Sequence, residues 1–250
     1  FYPTKSVEAR IKRSQRYTHM FLLITYIVVI GSSTKAILYF KCEAFVFPDG
    51  SSARYLAADM SIDCDGDEWN RHAFYAAAMI LIYPVGIPLL YFVMVRRHQD
   101  ILSDDAKIEE EQAKGSPTIG SVYFLVDQYN SKNYYFEVVD VVRRLLLAAI
   151  VGVVSANATA APVLGIVISG GFFGVFASFR PYRDNSDNRL SVVLSVGLVF
   201  LFLAALLVKV DATSDDERDQ EVLGALLITV LCTGPLVLVA LLMRVFWASI

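Results

Sequence analysis

The acidic stretch DMSIDCDGDEW, at residues 59–69, carries the side chains that come closest to a cation-binding motif in this sequence. Alternating carboxylates followed by a glycine are typical of a calcium loop, which a bidentate glutamate closes at its twelfth position. In that register the twelfth position is His72, so the closing ligand is missing. We expect a solvated acidic loop, with a weak divalent-cation site of Asp63, Asp65 and Asp67 as the alternative.

Four charged residues stand together where the sequence turns apolar. They are Glu137, Asp140, Arg143 and Arg144. Their spacing places Glu137, Asp140 and Arg144 on one face of a helix. An unpaired charge in a bilayer costs at least about 2.5 to 3.5 kcal/mol on insertion scales, so we expect Asp140 to pair with an arginine. The cluster then either couples a conformational change or fixes the orientation of its helix, and the sequence leaves both open.

A proline-rich motif, YPVGIP, interrupts the second apolar run with Pro84, Gly86 and Pro88. Each proline removes a backbone donor and crowds the carbonyl one turn earlier, so the helix is expected to bend and leave carbonyl groups free. Free carbonyls at membrane depth are tolerated only against protein or water, which places the bend toward the bundle interior. A hinge or a cation-coordinating break is one interpretation, and a static packing kink is the other.

Small residues recur at four-residue spacing in the fourth apolar run, at Gly170, Gly174 and Ser178. Such a row lets a second helix approach closely. We therefore predict a helix-packing face at these positions.

The composition indicates which elements hold these residues. Of the 250 residues, 56% are hydrophobic and 19% are charged, and the mean hydropathy is +0.51. Six apolar runs approach the roughly 20 residues that a helix needs to cross a bilayer. They are residues 20–40, 74–95, 138–156, 160–179, 190–208 and 222–247. The sequence therefore predicts an all-α fold, a polytopic membrane helix bundle of about six transmembrane helices.

Basic residues cluster on one side of these runs. They concentrate in a flank at residues 1–19, in the segment 96–133 and in the turn after the fourth run. Basic flanks are retained in the cytoplasm, which predicts that both termini are cytoplasmic. The bundle then occupies residues 20–250, with an acidic extracytoplasmic loop at 41–73. In the cytoplasmic loop 96–133, we expect the apolar segment 118–129 to lie on the inner leaflet.

Two of the three cysteines, Cys42 and Cys64, fall in the loop predicted to be extracytoplasmic. That compartment favours oxidised thiols, so we predict a disulfide between them. The alternative is two free thiols in a loop that faces a reducing interior. The expected location of the protein is the plasma membrane or another membrane of the secretory pathway.

Several motifs in this order resemble one family of membrane proteins. They are FKC, YLAADMSIDCDGDEW, YPVGIPLLYF, YYFEVVDVVRRLLL and FASFRPYRDNSDNRL. The region 16–202 resembles the transmembrane part of TRP-like, distantly polycystin-like proteins of algae and other protists. That part often stands at the carboxyl end of very large cell-surface proteins. The resemblance implies an ion channel or a channel subunit. Because the sequence begins at Phe1 rather than at a methionine, we expect it to be part of a longer protein.

The sequence lacks the parts of an enzyme. Its three histidines, His19, His72 and His98, are scattered, and it has no phosphate loop, nucleophile elbow or zinc-binding cysteine pair. A net charge of -3 gives no support to nucleic-acid binding. We predict no enzymatic activity and no cofactor. The expected partners are the lipid bilayer, inorganic cations, and further copies of the chain or other subunits.

Two classes of function remain, a channel subunit and a non-conducting membrane anchor or receptor base for a large extracellular domain. In six-helix cation channels the filter lies between the last two helices. Here that link spans about residues 211–221, which is too short for a re-entrant helix and a filter. A pore in this protein therefore needs a different lining or additional helices.

Overall fold

The computed structural model describes residues 5–48, 50–113, 122–153 and 160–209, and three further positions between 225 and 229. The chain divides into two compact units, Phe1–Val153 and Val154–Ile250.

Two long helices dominate the first unit. Helix α1 spans Lys5–Leu38, so the predicted basic flank from Lys5 onward and the first apolar run as far as Leu38 belong to one helix of 34 residues. Helix α2 (Asp67–Ile80) continues through a π-helical turn at Leu81–Gly86 into α3 (Ile87–Arg97). At 1.5 Å per residue, α1 is about 51 Å long, which exceeds the hydrocarbon thickness of a bilayer of about 30 Å. Its first turns therefore extend beyond the apolar part.

A three-stranded antiparallel sheet links α1 to α2, so the all-α prediction is wrong in this segment. Its strands, in the order β1-β2-β3, are Cys42–Val46, Ser52–Leu56 and Asp59–Asp63. Each strand has only five residues, and a search for apolar runs of membrane length does not detect elements this short. Because β3 includes the first five residues of the acidic stretch, that stretch is not a solvated loop over its whole length.

The segment after α3 contains short helices. These are α4 (Gln99–Leu102), α5 (Asp105–Ala113) and two 3₁₀ turns at Tyr123–Leu125 and Ser131–Asn133. Helix α6 follows at Phe136–Val153.

The core of the first unit lies between α1, α3, the segment 122–126 and α6. It is formed by Leu22, Val29, Ile87, Tyr91, Val95, Leu102, Val122, Leu125, Val126, Val141 and Leu145. The apolar residues of segment 122–129 are therefore packed inside the protein. That the segment also lies at the inner leaflet stays a prediction. Its apolar pattern does not distinguish a membrane surface from a helix bundle as the packing partner.

The second unit is a helical hairpin of α7 (Ala160–Phe179) and α8 (Asn185–Lys209). The ring of Phe202 packs directly over Gly165, where a Cβ atom would collide with it. At Gly170 and Gly174 a Cβ atom would meet no described atom within 4 Å, and Ser178 is exposed. Close approach within this hairpin thus occurs at Gly165, and the face of Gly170, Gly174 and Ser178 stays a prediction for another partner.

Among the described residues, four helices are long and apolar enough to cross a membrane. They are Arg16–Leu38, Asp67–Arg97, Ala160–Phe179 and Asn185–Val208. The third predicted run, as far as Val153, lies in α6, and the four charged residues of that helix exclude it from this set. The sixth predicted run, 222–247, lies outside the described residues apart from three positions.

Candidate functional site

The charged residues predicted to cluster lie in the first three turns of α6. Glu137 and Asp140 are almost completely buried, with 2% and 1% of their surface exposed. The side chains of Arg143 and Arg144 are more accessible, at 18% and 34% exposed. Buried carboxylates require partners, because an isolated charge in a low-dielectric interior is strongly disfavoured.

Asp140 is the centre of an ion-pair network. Its Oδ1 accepts a hydrogen bond of 2.8 Å from Nε of Arg143, and Nη2 of Arg143 lies 2.7 Å from the same oxygen. Its Oδ2 forms an ion pair with the guanidinium of Arg144. One buried carboxylate therefore holds two arginines, at spacings of three and four residues along the helix.

Arg144 also connects this network to α1. Its Nη1 donates a hydrogen bond of 2.8 Å to the hydroxyl of Tyr26, and its Cζ lies 5.6 Å from the centroid of that ring. The Tyr26 ring in turn meets the edge of Phe124, with centroids 5.7 Å apart. Sequence reasoning missed Tyr26, because the two partners are 118 residues apart. The feature of the sequence that could have indicated Tyr26 is a tyrosine in the middle of an apolar run.

Glu137 belongs to a separate set of contacts. Its Oε2 accepts hydrogen bonds of 2.8 Å from the hydroxyl of Tyr129 and 2.7 Å from Nε2 of Gln128. Its Oε1 is buried and has no hydrogen-bond partner among the described residues. The four charges thus share one region, but Glu137 and Asp140 have different partners.

A second polar contact joins α1 to α3 inside the core. The hydroxyl of Tyr91, which is fully buried, lies 2.9 Å from Oγ1 of Thr25 and 3.3 Å from the carbonyl oxygen of Leu22. Tyr91 therefore holds α3 against α1 within a few residues of Tyr26. Tyr91 is visible in the sequence as a tyrosine within an apolar run, but spacing does not identify its partner.

The proline motif forms a π-helical turn, and the helix continues beyond it. The backbone N–H of Ile87 donates to the carbonyl of Ile82, five residues earlier, and Pro84 lies inside the turn. Such turns relieve the loss of a proline N–H by shifting the hydrogen-bond register. A Cβ atom at Gly86 would lie 3.1 Å from the Leu81 carbonyl oxygen, so glycine fits this tight turn. Pro88 is buried at the start of α3, on the side that packs in the core.

A family model described as "Transient receptor potential (TRP) ion channel" matches residues 59–250, which is most of the chain. The chain belongs to the TRP ion channel family. This confirms the TRP-like resemblance, whereas its polycystin-like and protist aspects stay predictions. No curated protein and no solved structure was matched by this chain. The matched region of this TRP-family protein includes α6 with its charges, and α1 with Tyr26 precedes it.

The acidic stretch of this TRP-family protein uses its carboxylates locally. Oδ1 of Asp63 accepts the backbone N–H of Asp65 at 2.9 Å, and the carboxylate of Asp65 pairs with Arg54, whose Nε lies 3.2 Å from Oδ2. The hydrogen bond from Arg54 lowers the pKa of Asp65 below its ordinary value. Asp67 is the first residue of α2. In the part of the chain that the structure describes, no three His, Cys, Asp or Glu side chains are arranged to hold a metal ion.

The predicted disulfide between Cys42 and Cys64 is present in the TRP-family chain, with Cα atoms 6.4 Å apart. It joins the start of β1 to the residue after β3 and so closes the sheet. Tyr39 and Trp69 fasten the ends of the two flanking helices. The hydroxyl of Tyr39 donates to the Trp69 carbonyl at 3.0 Å, and Nε1 of Trp69 donates to the Tyr39 carbonyl at 3.3 Å.

The motif FRPYRDNSDNRL builds the turn of the TRP-family hairpin α7–α8. Oδ1 of Asn188 accepts the N–H of Tyr182 at 3.0 Å, and its Nδ2 donates to the Tyr182 carbonyl at 2.8 Å. Oδ1 of Asp184 accepts the N–H of Ser186 at 2.9 Å, as expected of a residue at a helix start. These contacts give Asn188 and Asp184 a structural role in the turn.

Proposed function

We propose that the protein is an ion-channel subunit in which the charged network at the start of α6 couples that helix to α1. Membership of the TRP family and the apolar helices support a membrane protein of this kind. The observation that carries the proposal is the contact between Arg144 and Tyr26, at 2.8 Å, which joins the buried ion pair of Asp140 to a different helix.

In this proposal the network acts as a two-position element. Asp140 is buried and holds both arginines, so α6 cannot slide or rotate against α1 without breaking the Tyr26 contact or exposing the carboxylate. Buried polar contacts break and re-form as units, which gives discrete arrangements. A stimulus that favours one arrangement of α6 would then change the position of α1. A stimulus that moves α1 would likewise change the arrangement of α6. The cluster acts in coupling and does not line the pore.

The π-helical turn at Leu81–Gly86 is the proposed hinge of the second span. It lies between α2, which leads to the sheet, and α3, which Tyr91 joins to α1. π-Helical turns are frequent at functional sites because they already depart from the regular hydrogen-bond register. Bending at this turn would change the angle between α3 and α2, whose start is fastened to the end of α1 through Tyr39 and Trp69.

The proposed orientation puts both termini in the cytoplasm and the sheet outside it. The basic residues of 1–19 and 96–133 support this arrangement, and so does the disulfide, which persists in oxidising compartments. The membrane is proposed to be the plasma membrane or another membrane of the secretory pathway. An accessibility tag inserted after Asp49 should react from outside intact cells, and one after Ala113 should not. The reverse labelling would contradict the orientation.

Inorganic cations are the proposed permeant species, and the pore is proposed to form between several subunits. Because the link at 211–221 is too short for a re-entrant helix and a filter, this pore would need a different lining or additional helices. The short link therefore favours the second candidate, a non-conducting anchor that holds an extracellular domain.

Cation flux into liposomes separates the two candidates. The full-length protein is reconstituted, its insertion is verified by protease protection, and potassium or sodium entry is followed with an internal fluorescent indicator. A channel subunit should give flux above that of protein-free vesicles, and Asp65→Asn, in an exposed ion pair, should leave it unchanged. Absence of flux from correctly inserted protein would favour the anchor.

A further inference from the structure

A groove between α1 and α2 begins at the sheet and continues along both helices. Its volume is about 640 Å³, within the range of about 300 to 1,000 Å³ that is usual for sites of small molecules. Ile62 of β3 lines it beside the sheet, and Met79 and Tyr83 line it farther along the second helix. Both walls belong to helices that are long and apolar enough to cross a membrane. In a bilayer the groove would therefore run from the headgroup level into the hydrocarbon.

The groove is about as long as one leaflet is thick. Glu68 and Met79, which both line it, are eleven residues apart on α2, or about 16 Å at 1.5 Å per residue. The hydrocarbon core of a bilayer is about 30 Å thick, so one leaflet contributes about 15 Å. Gly31 keeps the α1 side open, because a Cβ atom there would meet no described atom within 4 Å. The groove thus matches the length of an acyl chain of one leaflet.

Opposite charges line the end of the groove that lies next to the sheet. Lys35 stands in the last turn of α1 and Glu68 in the first turn of α2. Within the described residues, neither side chain forms an ion pair or a hydrogen bond. The adjacent charged residues Asp67 and Arg71 do not line the groove and have opposite signs. A ligand with one negative and one positive group would complement both lining charges, whereas a simple anion or cation would leave one unmatched.

His72, the third ionisable group at this end, indicates which positive group fits. Its Nδ1 lies 3.0 Å from the carbonyl oxygen of Glu68. A carbonyl oxygen only accepts, so Nδ1 carries the hydrogen and Nε2 of the neutral ring is an acceptor. Nε2 has no hydrogen-bond partner among the described residues. The groove therefore offers two acceptors, which suit a primary ammonium with its three N–H donors better than a quaternary ammonium with none.

We propose that this groove, the Lys35 groove, binds a phospholipid whose headgroup is a zwitterion of the phosphoethanolamine class. The phosphate would lie against Lys35, and the ammonium would lie between Glu68 and His72. One acyl chain would follow the groove past Gly31 to Met79. A lipid is the occupant that reaches all of these residues, since a free zwitterion would leave the apolar part without contacts. The inference goes beyond the proposed function, because such a site does not require that the protein conducts.

The experiment counts the lipids bound to the detergent-purified full-length protein by native mass spectrometry. The protein is titrated with phosphatidylethanolamine, phosphatidylcholine and phosphatidylglycerol that carry identical acyl chains. We expect one phosphatidylethanolamine per chain to bind about threefold to tenfold more tightly than either of the other two, which is the gain from about one hydrogen bond.

Three variants assign this preference to the groove. Glu68→Gln should abolish the preference for phosphatidylethanolamine over phosphatidylcholine, and Asp67→Asn, at an exposed carboxylate that does not line the groove, should retain it. Lys35→Met should weaken both of these lipids about threefold, because both carry the phosphate. Gly31→Leu should fill the groove and weaken all three lipids. Its control Gly171→Leu, at an exposed glycine of α7 whose Cβ also meets no described atom, should not.

Gly31, Lys35 and Glu68 are exposed, so the variants should fold, and an unchanged Tm verifies this. If Gly31→Leu unfolds, the two headgroup variants still decide. Four results would overturn the proposal: equal binding of the three lipids by the wild type, an unchanged preference in Glu68→Gln, equal effects of Glu68→Gln and Asp67→Asn, or displacement of the lipid by equimolar free phosphoethanolamine. Loss of the bound lipid whenever two chains associate would also overturn it and would assign the groove to a second copy. Since no current is measured, such a failure would leave the channel proposal to its own flux test.

Discussion

Replacing Asp140 by asparagine should strongly destabilise the first unit. The substitution keeps the shape of the side chain but removes the charge that holds Arg143 and Arg144. Removing one partner of a buried ion pair costs about 3 to 5 kcal/mol. Because the arginine side chains are 18% and 34% exposed, both can move partly toward solvent or headgroups, and we expect a loss of about 3 kcal/mol, at the lower end of that range. At about 2 to 4 °C per kcal/mol for a chain of this size, Tm should fall by about 6 to 12 °C.

The assay is thermal unfolding of the purified protein in detergent, with Asp65→Asn as the matched control. Asp65 also pairs with an arginine, but both of those side chains are more than half exposed, so its loss should leave Tm nearly unchanged. The double variant Asp140→Arg with Arg144→Asp should recover part of the lost stability if the pair is local. The reasoning is refuted if Asp65→Asn lowers Tm while Asp140→Asn has the same Tm as the wild type.

Three further predictions concern the hinge and the sheet. Gly86→Ala should destabilise the protein by about 1 kcal/mol, because the added Cβ lies 3.1 Å from the Leu81 carbonyl oxygen. In the same detergent unfolding assay the control Gly31→Ala should be neutral or stabilising, because its Cβ meets no described atom within 4 Å. Because the pKa of Asp65 is lowered, the ion pair with Arg54 contributes to stability above the ordinary pKa of an aspartate, and this contribution is lost as pH falls through the lowered pKa. Arg54→Gln should return the pKa of Asp65 to the ordinary range in an NMR titration. Removing the disulfide should cost about 2 to 4 kcal/mol, and non-reducing peptide mapping that finds both thiols free would contradict the pairing itself.

The helices were predictable because apolar runs of membrane length have few alternatives in a bilayer. Four of the predicted runs coincide with described helices that can span a membrane, and the third run forms α6. The Asp140 pairing also followed from local spacing, since residues three and four apart on a helix are neighbours. The disulfide followed from two cysteines in one loop.

Contacts between distant parts of the chain were not predictable. Tyr26 and Arg144 are far apart in the sequence, and neither residue marks the other as its partner. The burial of Val122 and Leu125 was missed because an apolar segment packs equally well on a membrane or in a core. The sheet was missed because its strands are short and its acidic residues resemble a solvated loop, although their side chains cap turns and pair with Arg54.

Single-channel recording in a planar bilayer, with wild-type protein and Asp140→Asn compared at matched incorporation, tests whether the buried network couples to conduction. We expect cation-selective openings from the wild type and an unchanged unitary conductance in the variant, because the proposal assigns Asp140, which is buried, to coupling and not to the pore lining. Coupling energies of about 0.5 to 2 kcal/mol correspond to a change in the open–closed equilibrium of about 2- to 30-fold. Absence of channel current from correctly inserted wild-type protein would contradict the proposed function. So would an open–closed equilibrium in the folded Asp140→Asn variant that equals that of the wild type.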